Sequence, residues 1–348
     1  MRQRIRVLIV DDSAVFRQLL IRAFAAAPDI DVVAAAADPF EARDKLLEHH
    51  PDVMVCDVHM PRMNGIEFLR KLLPQYPLPV IVTSTCSSAV FDAMNAGAVD
   101  FIPKPDGGPS GMERFVDGLA EKIRIASRAR ILRPGGPSAG VTAAGAARRP
   151  AFPAGASPVR QAPKLIAIGA STGGPEAIFT LLRGLPADAP GIVIVQHIPA
   201  RFSRMFAERL NQTLELRVKE AETGDAAERG TVLIAPGDRH MRVKRKDGKF
   251  TVECFHGEKV NRHCPSIDVL FESVAREAGN RAIGVILTGM GYDGAKGLLA
   301  MRRKGARTIG QDEASSVVYG MPKVAWELGA VEKQCSLHDM PRVITGLL

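Results

Sequence analysis

Residues 165–174 read LIAIGASTGG, and this stretch decides the fold of the second half of the chain. Its first four residues are apolar and include two isoleucines, which is typical of a strand buried in a sheet. The run passes into Gly169 and Ala170, and Ser171 then stands in a glycine-rich turn. Such a turn places a hydroxyl at the carboxyl edge of a parallel sheet, where α/β proteins bind ligands.

The first 130 residues repeat a strand-then-helix pattern five times. The predicted strands lie at residues 5–10, 31–35, 53–57, 80–84 and 101–102. Each is followed by a segment with apolar residues at helical spacing. Alternating strands and helices form a parallel sheet that is covered on both faces. We therefore expect an α/β domain over residues 1–130, with a flavodoxin-like, doubly wound, five-stranded parallel sheet.

The middle of the chain has a different composition. Residues 131–163 are rich in proline, glycine, alanine and serine, with four arginines and no acidic residue. They show no hydrophobic periodicity, so a flexible linker is predicted. Strands and helices alternate again over residues 164–348, with a β-hairpin predicted at the turn Asp247-Gly248. We expect a second doubly wound, mainly parallel α/β domain there.

Composition and charge exclude several classes of protein. The net charge is +8, and it is spread along the chain without the runs of basic residues that indicate a nucleic-acid site. No apolar run approaches the roughly 20 residues of a membrane span. Five cysteines without Cys-x-x-Cys spacing favour neither a disulfide framework nor a structural zinc site. We expect a cytoplasmic protein that binds no nucleic acid and does not insert into membranes.

Polar residues stand at or just after the ends of four predicted strands in the first half. They are Asp11, Asp12, Asp57, Ser84 and Lys104. We expect them to meet, because the carboxyl ends of parallel strands share one edge of the sheet. Crowded carboxylates favour Mg²⁺, with Asp12 and Asp57 as predicted ligands. Lys104 would neutralise a phosphoryl group on Asp57. Ser84, or Thr83 if the strand register differs by one residue, would form a hydrogen bond with that phosphoryl group.

Three residues at strand ends in the second half predict a catalytic triad. They are Ser171, His197 and Asp293. Residues 169–173 match the Gly-x-Ser-x-Gly nucleophile elbow, although that motif alone is equally typical of a phosphate-binding turn. Serine needs a base to take its proton, histidine has a suitable pKa, and a carboxylate fixes the histidine tautomer. The order along the chain differs from the Ser-Asp-His order of α/β-hydrolases.

Other residues compete for these roles. His240 is the rival base. Cys254 and Cys264 are weaker rival nucleophiles, because neither follows a comparable glycine turn. Backbone N–H groups in the stretch Gly-Met-Gly at residues 289–291 are candidate oxyanion-hole donors, since glycine lets the backbone approach a tetrahedral intermediate closely.

The motifs of both halves resemble known families. Residues 5–125 resemble a response-regulator receiver domain, through Asp11-Asp12, the stretch DVHMPRMNG at residues 57–65, and Lys104-Pro105. Nearly all of residues 164–348 closely resemble the chemotaxis protein-glutamate methylesterase family. The matching stretches include GASTGGP at residues 169–175, QHIP at 196–199, LTGMGYDGA at 287–295 and QDEASSVVYGMP at 311–322.

The resemblance implies a two-component response regulator with an enzymatic output. Asp57 would take a phosphoryl group from a chemotaxis histidine kinase with Mg²⁺, and hydrolysis itself would need no cofactor. The enzyme would hydrolyse glutamate methyl esters on chemoreceptors, releasing methanol, and deamidate receptor glutamines to glutamate. The implied site residues are Ser171 as nucleophile, His197 as base, Asp293 as its orienting partner, Thr172 beside the nucleophile and Met290 at the oxyanion hole. We expect the unphosphorylated receiver to cover Ser171.

Two rival classes make different predictions for the second half. A DNA-binding response regulator requires a helix-turn-helix with a basic recognition helix. A non-catalytic scaffold requires no intact triad. One position departs from the family pattern: Arg201 stands where relatives often have glycine, so access of the substrate is expected to differ.

Overall fold

A computed structural model describes residues 4–85, 88–105, 108–131 and 165–348. Residues 4–131 form a first domain and residues 165–348 form a second, each with its own parallel sheet. The predicted linker lies outside the described residues except for Ile131. Within the described ranges, no helix has the length and apolar character that crossing a membrane requires.

The first domain contains a five-stranded parallel sheet. Its strands are β1 (Ile5–Val10), β2 (Ile30–Ala36), β3 (Val53–Asp57), β4 (Val80–Ser84) and β5 (Asp100–Pro103). Its helices are α1 (Ala14–Ala25), α2 (Pro39–His49), α3 (Gly65–Leu72), α4 (Ser88–Asn95) and α5 (Pro109–Ala126). The strand order is β2-β1-β3-β4-β5 and all pairs are parallel. This order confirms the predicted flavodoxin-like fold.

Polar side chains fix where three of these helices begin. Ser13, Asp38 and Asn64 each accept a hydrogen bond from a backbone N–H two or three residues further on, at 3.3, 2.9 and 2.8 Å. Each cap satisfies a donor that the first helical turn leaves without a partner. The caps therefore fix the start of α1 at Ala14, shortly after β1 ends, and the start of α3 at Gly65, eight residues after β3 ends at Asp57.

The second domain contains a seven-stranded parallel sheet with helices on both faces. Its strands are β6 (Leu165–Ala170), β7 (Gly191–Gln196), β8 (Arg217–Glu220), β9 (Thr231–Ile234), β12 (Ala282–Ile286), β13 (Arg307–Gln311) and β14 (Lys333–Cys335). The separate antiparallel hairpin is β10 (His240–Lys246) and β11 (Lys249–Phe255). The helices are α6 (Gly174–Arg183), α7 (Ala200–Thr213), α8 (Ile267–Glu277), α9 (Ala295–Arg303), α10 (Met321–Glu327) and α11 (Met340–Thr345).

The strand order of the second sheet positions the predicted triad. The order is β14-β13-β12-β6-β7-β9-β8, so β12, β6 and β7 are neighbours near its centre. In register, Ile286 of β12 pairs with Gly169 of β6, and Ala170 pairs with Gln196 of β7. The chain segments that carry Ser171, His197 and Asp293 therefore leave the sheet at the same edge.

Several elements differ from the sequence expectations. The strands β8, β13 and β14 were not predicted, because sequences such as RVKE and KQC lack an apolar run. Two of these strands lie at the sheet edges, where one flank is unpaired and polar residues are tolerated. For the last helix of the first domain, apolar spacing in the sequence predicts residues 112–130. It begins earlier, with a proline in its first turn, and ends at Ala126.

The two domains contact each other through aromatic side chains and ion pairs. The Phe91 ring of α4 stacks on the Phe206 ring of α7, with centroids 5.4 Å apart and planes 19° apart. The rings of Phe101 and Phe202 lie 4.7 Å apart. Near the same contact, Arg209 donates to Asp92 at 2.8 Å. Because α7 directly follows the His197 segment, the first domain lies beside the predicted triad.

Candidate functional site

The acidic residues predicted in the first domain lie together. Carboxylate oxygens of Asp11, Asp12 and Asp57 all lie within 4.8 Å of one another. Asp11 and Asp57 are buried, whereas Asp12 is exposed. The Lys104 ammonium lies 2.7 Å from Asp11 Oδ2 and 2.6 Å from Asp57 Oδ2. One cation therefore serves two buried carboxylates, and the pocket keeps an excess of negative charge.

The pKa shifts in this pocket follow from burial and crowding. Burial raises the pKa of Asp11, and the neighbouring charge of Asp57 raises it further, against the effect of Lys104. Burial alone would lower the pKa of Lys104, but its hydrogen bonds to Asp11 and Asp57 outweigh burial and raise it. Three crowded carboxylates are a donor set that fits Mg²⁺, which prefers oxygen ligands and keeps part of its water shell.

Two backbone contacts shape the pocket. Ser84 ends β4 and is buried, and its carbonyl accepts the Lys104 backbone N–H at 3.0 Å. Its neighbour Thr83 is the residue paired in register with Asp57. A Cβ added at Gly65 would lie 2.2 Å from the Asp57 carbonyl oxygen, so only glycine lets α3 begin this close to β3.

Ser171 occupies the tight turn between β6 and α6. Its N–H donates to the Thr288 carbonyl at 3.0 Å, which ties the turn to the neighbouring strand end. Gly173 has a φ of 75°, the left-handed region that favours glycine. A Cβ at Gly289 would lie 2.6 Å from Ser171 Cβ, so the adjoining backbone approaches the serine as closely as glycine permits. These contacts fix the hydroxyl at the sheet edge.

The three predicted triad residues form one hydrogen-bonded chain. His197 Nδ1 lies 3.2 Å from Ser171 Oγ, and His197 Nε2 lies 2.9 Å from Asp293 Oδ2. In the chymotrypsin arrangement Nε2 faces the serine, so the imidazole here uses its nitrogens in the opposite sense. The geometry still allows the ring to take the hydroxyl proton while the carboxylate holds the other nitrogen.

Asp293 is buried and heavily hydrogen-bonded. Its Oδ1 accepts from Ser266 Oγ and from Asn261 Nδ2, both at 2.8 Å. Its Oδ2 accepts the backbone N–H of Ile267, the first residue of α8, at 2.7 Å, so the positive end of that helix faces the carboxylate. Burial alone would raise the pKa of Asp293, but the hydrogen bond and charge of His197, with the bonds from Asn261 and Ile267, lower it to about 2. The group is therefore ionised at any physiological pH.

The rival residues are engaged elsewhere or protonated. His240 Nε2 lies 2.8 Å from the Glu258 carbonyl oxygen, and Ser266 donates its N–H to His240 Nδ1 at 3.2 Å. Both imidazole nitrogens of His240 are thus occupied. Burial raises the pKa of the Cys254 thiol to about 11 and also raises that of Cys264. A protonated thiol is a poor nucleophile, so neither cysteine is prepared for attack.

The predicted oxyanion-hole donors fall into two groups. The Gly289 N–H donates to the Val318 carbonyl at 3.0 Å, so this donor is already used. The backbone amides of Met290 and Gly291 have no acceptor in the part of the chain that the structure describes. Gly291 has a φ of 90°, a conformation that glycine adopts readily. Of the three predicted oxyanion-hole donors, the amides of Met290 and Gly291 therefore remain as candidates.

Thr172 joins the candidate nucleophile to the first domain. Its side chain is buried, and its hydroxyl donates to Asp100 Oδ2 at 3.2 Å. Asp100 opens β5, and its other oxygen lies 2.7 Å from the Lys122 ammonium of α5. A side chain of the first domain thus contacts the residue next to Ser171.

Sequence reasoning missed three polar residues around the triad. Gln196 is buried, and its Nε2 donates to the carbonyls of Ser171 and His197 at 2.9 and 3.2 Å. Its position directly before His197 was the feature of the sequence that could have identified Gln196 as a site residue. Asn261 bonds Asp293, and the His263 ring stacks on the His197 ring. Both lie in irregular chain after the hairpin, where no periodic pattern points to them.

Comparison with known proteins places both halves in described families. The family model for the CheB methylesterase matches residues 166–344, and that for the response regulator receiver domain matches residues 7–113. A protein-glutamate methylesterase/protein-glutamine glutaminase of Syntrophomonas wolfei is 56% identical over 99% of this chain and 98% of its own length. The protein of the same name from Salmonella typhimurium is 46% identical over 97% of this chain and 95% of its own length.

A solved structure agrees with these sequence matches. The crystal structure of the Thermotoga maritima CheB methylesterase catalytic domain is 37% identical, with a TM-score of 0.53, and covers 54% of this chain and 100% of that one. Both family models thus match where sequence motifs had suggested them, and the relatives match along nearly the full length. The chain belongs to the CheB methylesterase family, with a response regulator receiver domain preceding the methylesterase domain.

Proposed function

We propose that this chain is a phosphorylation-activated protein-glutamate methylesterase and protein-glutamine glutaminase that acts on chemoreceptors. The observation that carries the proposal is the hydrogen-bonded chain from Ser171 Oγ through His197 to Asp293. The names of the full-length relatives support the choice of reaction. The acidic pocket around Asp57 supports control by phosphorylation.

The first half-reaction forms an acyl-enzyme. Ser171 Oγ attacks the carbonyl carbon of a glutamate methyl ester while His197 Nδ1 takes the hydroxyl proton. Negative charge develops on the carbonyl oxygen, where the Met290 and Gly291 amides donate; one such donor is worth roughly 10²–10³ in rate. The bond to the methoxy group then breaks, and methanol leaves with the proton from His197.

The second half-reaction releases the product. His197 takes a proton from water, and the resulting hydroxide attacks the acyl carbon. The bond to Ser171 Oγ breaks, the serine regains its proton from His197, and a receptor glutamate remains. With a receptor glutamine, ammonia leaves in place of methanol. Throughout, ionised Asp293 holds the imidazole in one tautomer and stabilises it when it is charged.

Phosphorylation is proposed to act through the first domain. Asp57 would accept the phosphoryl group from a chemotaxis histidine kinase, and Asp12 and Asp57 would hold Mg²⁺ beside Asp11. The metal supplies neutralisation of the added negative charge. A phosphoryl group adds roughly −1.5 to −2 charge units, which would draw Lys104 and Ser84 toward it.

The strand β5 connects this pocket with the hydrolase. Lys104 directly follows β5, and Asp100 begins it, four residues earlier, in contact with Thr172. In the unphosphorylated state the first domain would restrict access of a bulky receptor helix to Ser171. A shift of β5 and α4 on phosphorylation would weaken this packing, because contacts between domains are small enough to be rearranged.

The proposal also assigns the remaining parts of the chain. Residues 1–130 are the receiver, residues 131–163 the linker and residues 164–348 the catalytic domain. A cytoplasmic location fits the four described cysteines, all of which are free thiols. The DNA-binding alternative needs a helix-turn-helix in the second half. The described residues of that half instead form a seven-stranded sheet, with Ser171, His197 and Asp293 hydrogen-bonded to one another at one edge. We propose no nucleic-acid partner and no membrane insertion.

The deciding experiment measures methanol release from a methylated receptor signalling domain. We expect wild type to release methanol, and to do so faster with acetyl phosphate and Mg²⁺. Ser171→Ala should abolish release under both conditions, whereas Ser110→Ala, an exposed serine of α5, should leave it unchanged. Release that persists in Ser171→Ala would overturn the assigned nucleophile. Release that needs Ser171 but ignores the phosphodonor would overturn the proposed control.

A further inference from the structure

A four-residue turn beside the triad contacts two of its members, His197 and Asp293. In residues 260–263, Val260 and His263 exchange backbone hydrogen bonds of 3.0 and 2.9 Å. Between them, Asn261 and Arg262 have φ values of 52° and 72°, a region that non-glycine residues adopt rarely. Such backbone strain persists when the surrounding contacts over-determine it.

Two side chains of this turn reach the triad. Asn261 Nδ2 donates to Asp293 Oδ1 at 2.8 Å and to Asp268 Oδ2 at 2.7 Å, which anchors the turn to α8. The His263 ring lies parallel to the His197 ring, with centroids 3.7 Å apart and planes 7° apart. The turn therefore holds the orienting carboxylate with one residue and covers a face of the base with another.

The stacked ring supplies a restraint that the hydrogen bonds of His197 do not. Those bonds join the ring at Nδ1 and Nε2 and leave rocking about the line between their partners weakly restrained. A flat ring in contact with the imidazole face opposes that rocking. Holding Nδ1 toward Ser171 matters because a displacement of about 1 Å can reduce the rate about 100-fold.

We propose that His263 is a positioning residue, whose flat ring keeps the His197 imidazole aimed at Ser171 and takes no part in proton transfer. This inference rests on the proposed function, since it assumes that His197 is the base. A neutral partner suits this place, because His197 becomes cationic during the reaction and a second cation would repel it.

The surroundings of His263 keep it neutral. Burial is the largest influence on its pKa, and the charge of His197 acts in the same direction. Lys259 and Arg262 add smaller effects of the same sign, and Asp293 opposes them. Together they lower the pKa of His263 to about 4. At neutral pH the ring therefore stacks uncharged.

The test compares His263→Phe, His263→Ala and His263→Leu in the full-length chain with acetyl phosphate and Mg²⁺. Phenylalanine keeps a flat ring without nitrogens, so we expect kcat within about 3-fold of wild type and an unmoved acid limb of the pH profile. Alanine and leucine remove the flat ring, so kcat should fall about 10- to 100-fold with little change in KM. Labelling of Ser171 by a fluorophosphonate should slow in parallel. His256→Ala, an exposed histidine of the preceding loop, is the matched control.

Each outcome separates the inference from the function it rests on. Alanine and leucine variants that keep wild-type kcat would overturn the positioning role. A phenylalanine variant as slow as the alanine variant would also overturn it, because the nitrogens of His263 would then be required. If alanine unfolds the chain, as thermal melting would reveal, the leucine and phenylalanine pair decides alone. Failure of the proposed function has a different signature, namely wild-type turnover or labelling that does not depend on Ser171.

Discussion

The two sites at the strand ends of this molecule differ in how fully their carboxylates are neutralised and hydrogen-bonded. In the first domain, two buried carboxylates share the single ammonium of Lys104, and Asp12 remains exposed. In the second domain, both oxygens of Asp293 accept several hydrogen bonds, and no other carboxylate of the described residues shares His197. The first pocket is under-neutralised, so added charge or a cation changes it. In the second site, the hydrogen bonds of the Asp293 carboxylate are complete before any substrate arrives.

This contrast matches what each site is proposed to do. A switch needs two packings of similar free energy, so that a local charge can choose between them. A hydrolase needs donors and bases that are already oriented, because reorganisation during the reaction would reduce the rate. The same topological position, the carboxyl edge of a parallel sheet, therefore serves both purposes with different degrees of hydrogen bonding.

The largest expected effect comes from breaking the satisfied site. Asp293→Asn removes the charge that holds the His197 tautomer and places an amide donor among backbone and side-chain donors. We expect kcat for methanol release to fall about 10³- to 10⁴-fold, as for an orienting carboxylate in a triad. Asp188→Asn, at an exposed ion pair with Arg229, is the control and should be silent. Equal effects of the two variants would contradict the comparison.

Removing the whole first domain tests whether it restrains the second. We expect deletion of residues 1–163 to raise basal methanol release about 10-fold, the order of a typical coupling between sites. The gain should lie in activity toward the bulky receptor domain. Unchanged activity of a folded fragment would refute blocking by the receiver while leaving the esterase proposal intact.

Breaking the under-neutralised pocket should remove regulation and leave basal chemistry. With Asp57→Asn, the ratio of methanol release with and without acetyl phosphate should fall to about 1. The exposed Glu48→Gln should retain the wild-type ratio. Stimulation that survives Asp57→Asn would show that the phosphodonor acts elsewhere.

A single contact between the domains should have a smaller effect. Asp100→Ala removes the acceptor of the Thr172 hydroxyl. Basal release should rise by a factor of about 2 to 5, which corresponds to about 0.5–1 kcal/mol, the lower part of the range for one hydrogen bond. Lys122→Ala removes the ion pair with Asp100, but the Asp100 carboxylate remains and can still accept the Thr172 hydroxyl. We expect basal methanol release of Lys122→Ala to stay near that of wild type. If both variants were activated equally, the restraint would lie in the contact of Asp100 with α5 and not in its bond to Thr172.

The folded state should also lose stability in mild acid. Because the folded pKa of His263 is about 4, the unfolded chain binds more protons than the folded one between about pH 6.5 and 4. Stability should therefore fall as the pH falls through this window, by about 1–2 kcal/mol between pH 7 and 5. Urea unfolding at both pH values should show a smaller loss in His263→Phe. An identical loss in both proteins would assign it to other groups.

The site residues that could be predicted best from the sequence are those at the ends of apolar strands. Asp57, Ser171 and His197 each follow or end a buried run, so their shared edge followed from the alternation of elements. The contacts of His263 and Asn261 could not be predicted, because an irregular turn has no period that reports its direction. The contact of Asp100 with Thr172 joins residues 72 apart in sequence, one at the start of β5 and the other in the turn after β6.

The hydrogen bond between Thr172 and Asp100 has a consequence for how receptor binding and phosphorylation influence each other. Receiver and receptor would compete for the surface beside Ser171, so that occupancy by one weakens the other. Thermodynamic linkage is reciprocal: if phosphorylation of Asp57 favours binding of the receptor, then the bound receptor favours phosphorylation by the same factor. A methylated receptor would then be both the enzyme's substrate and an activating ligand of its switch.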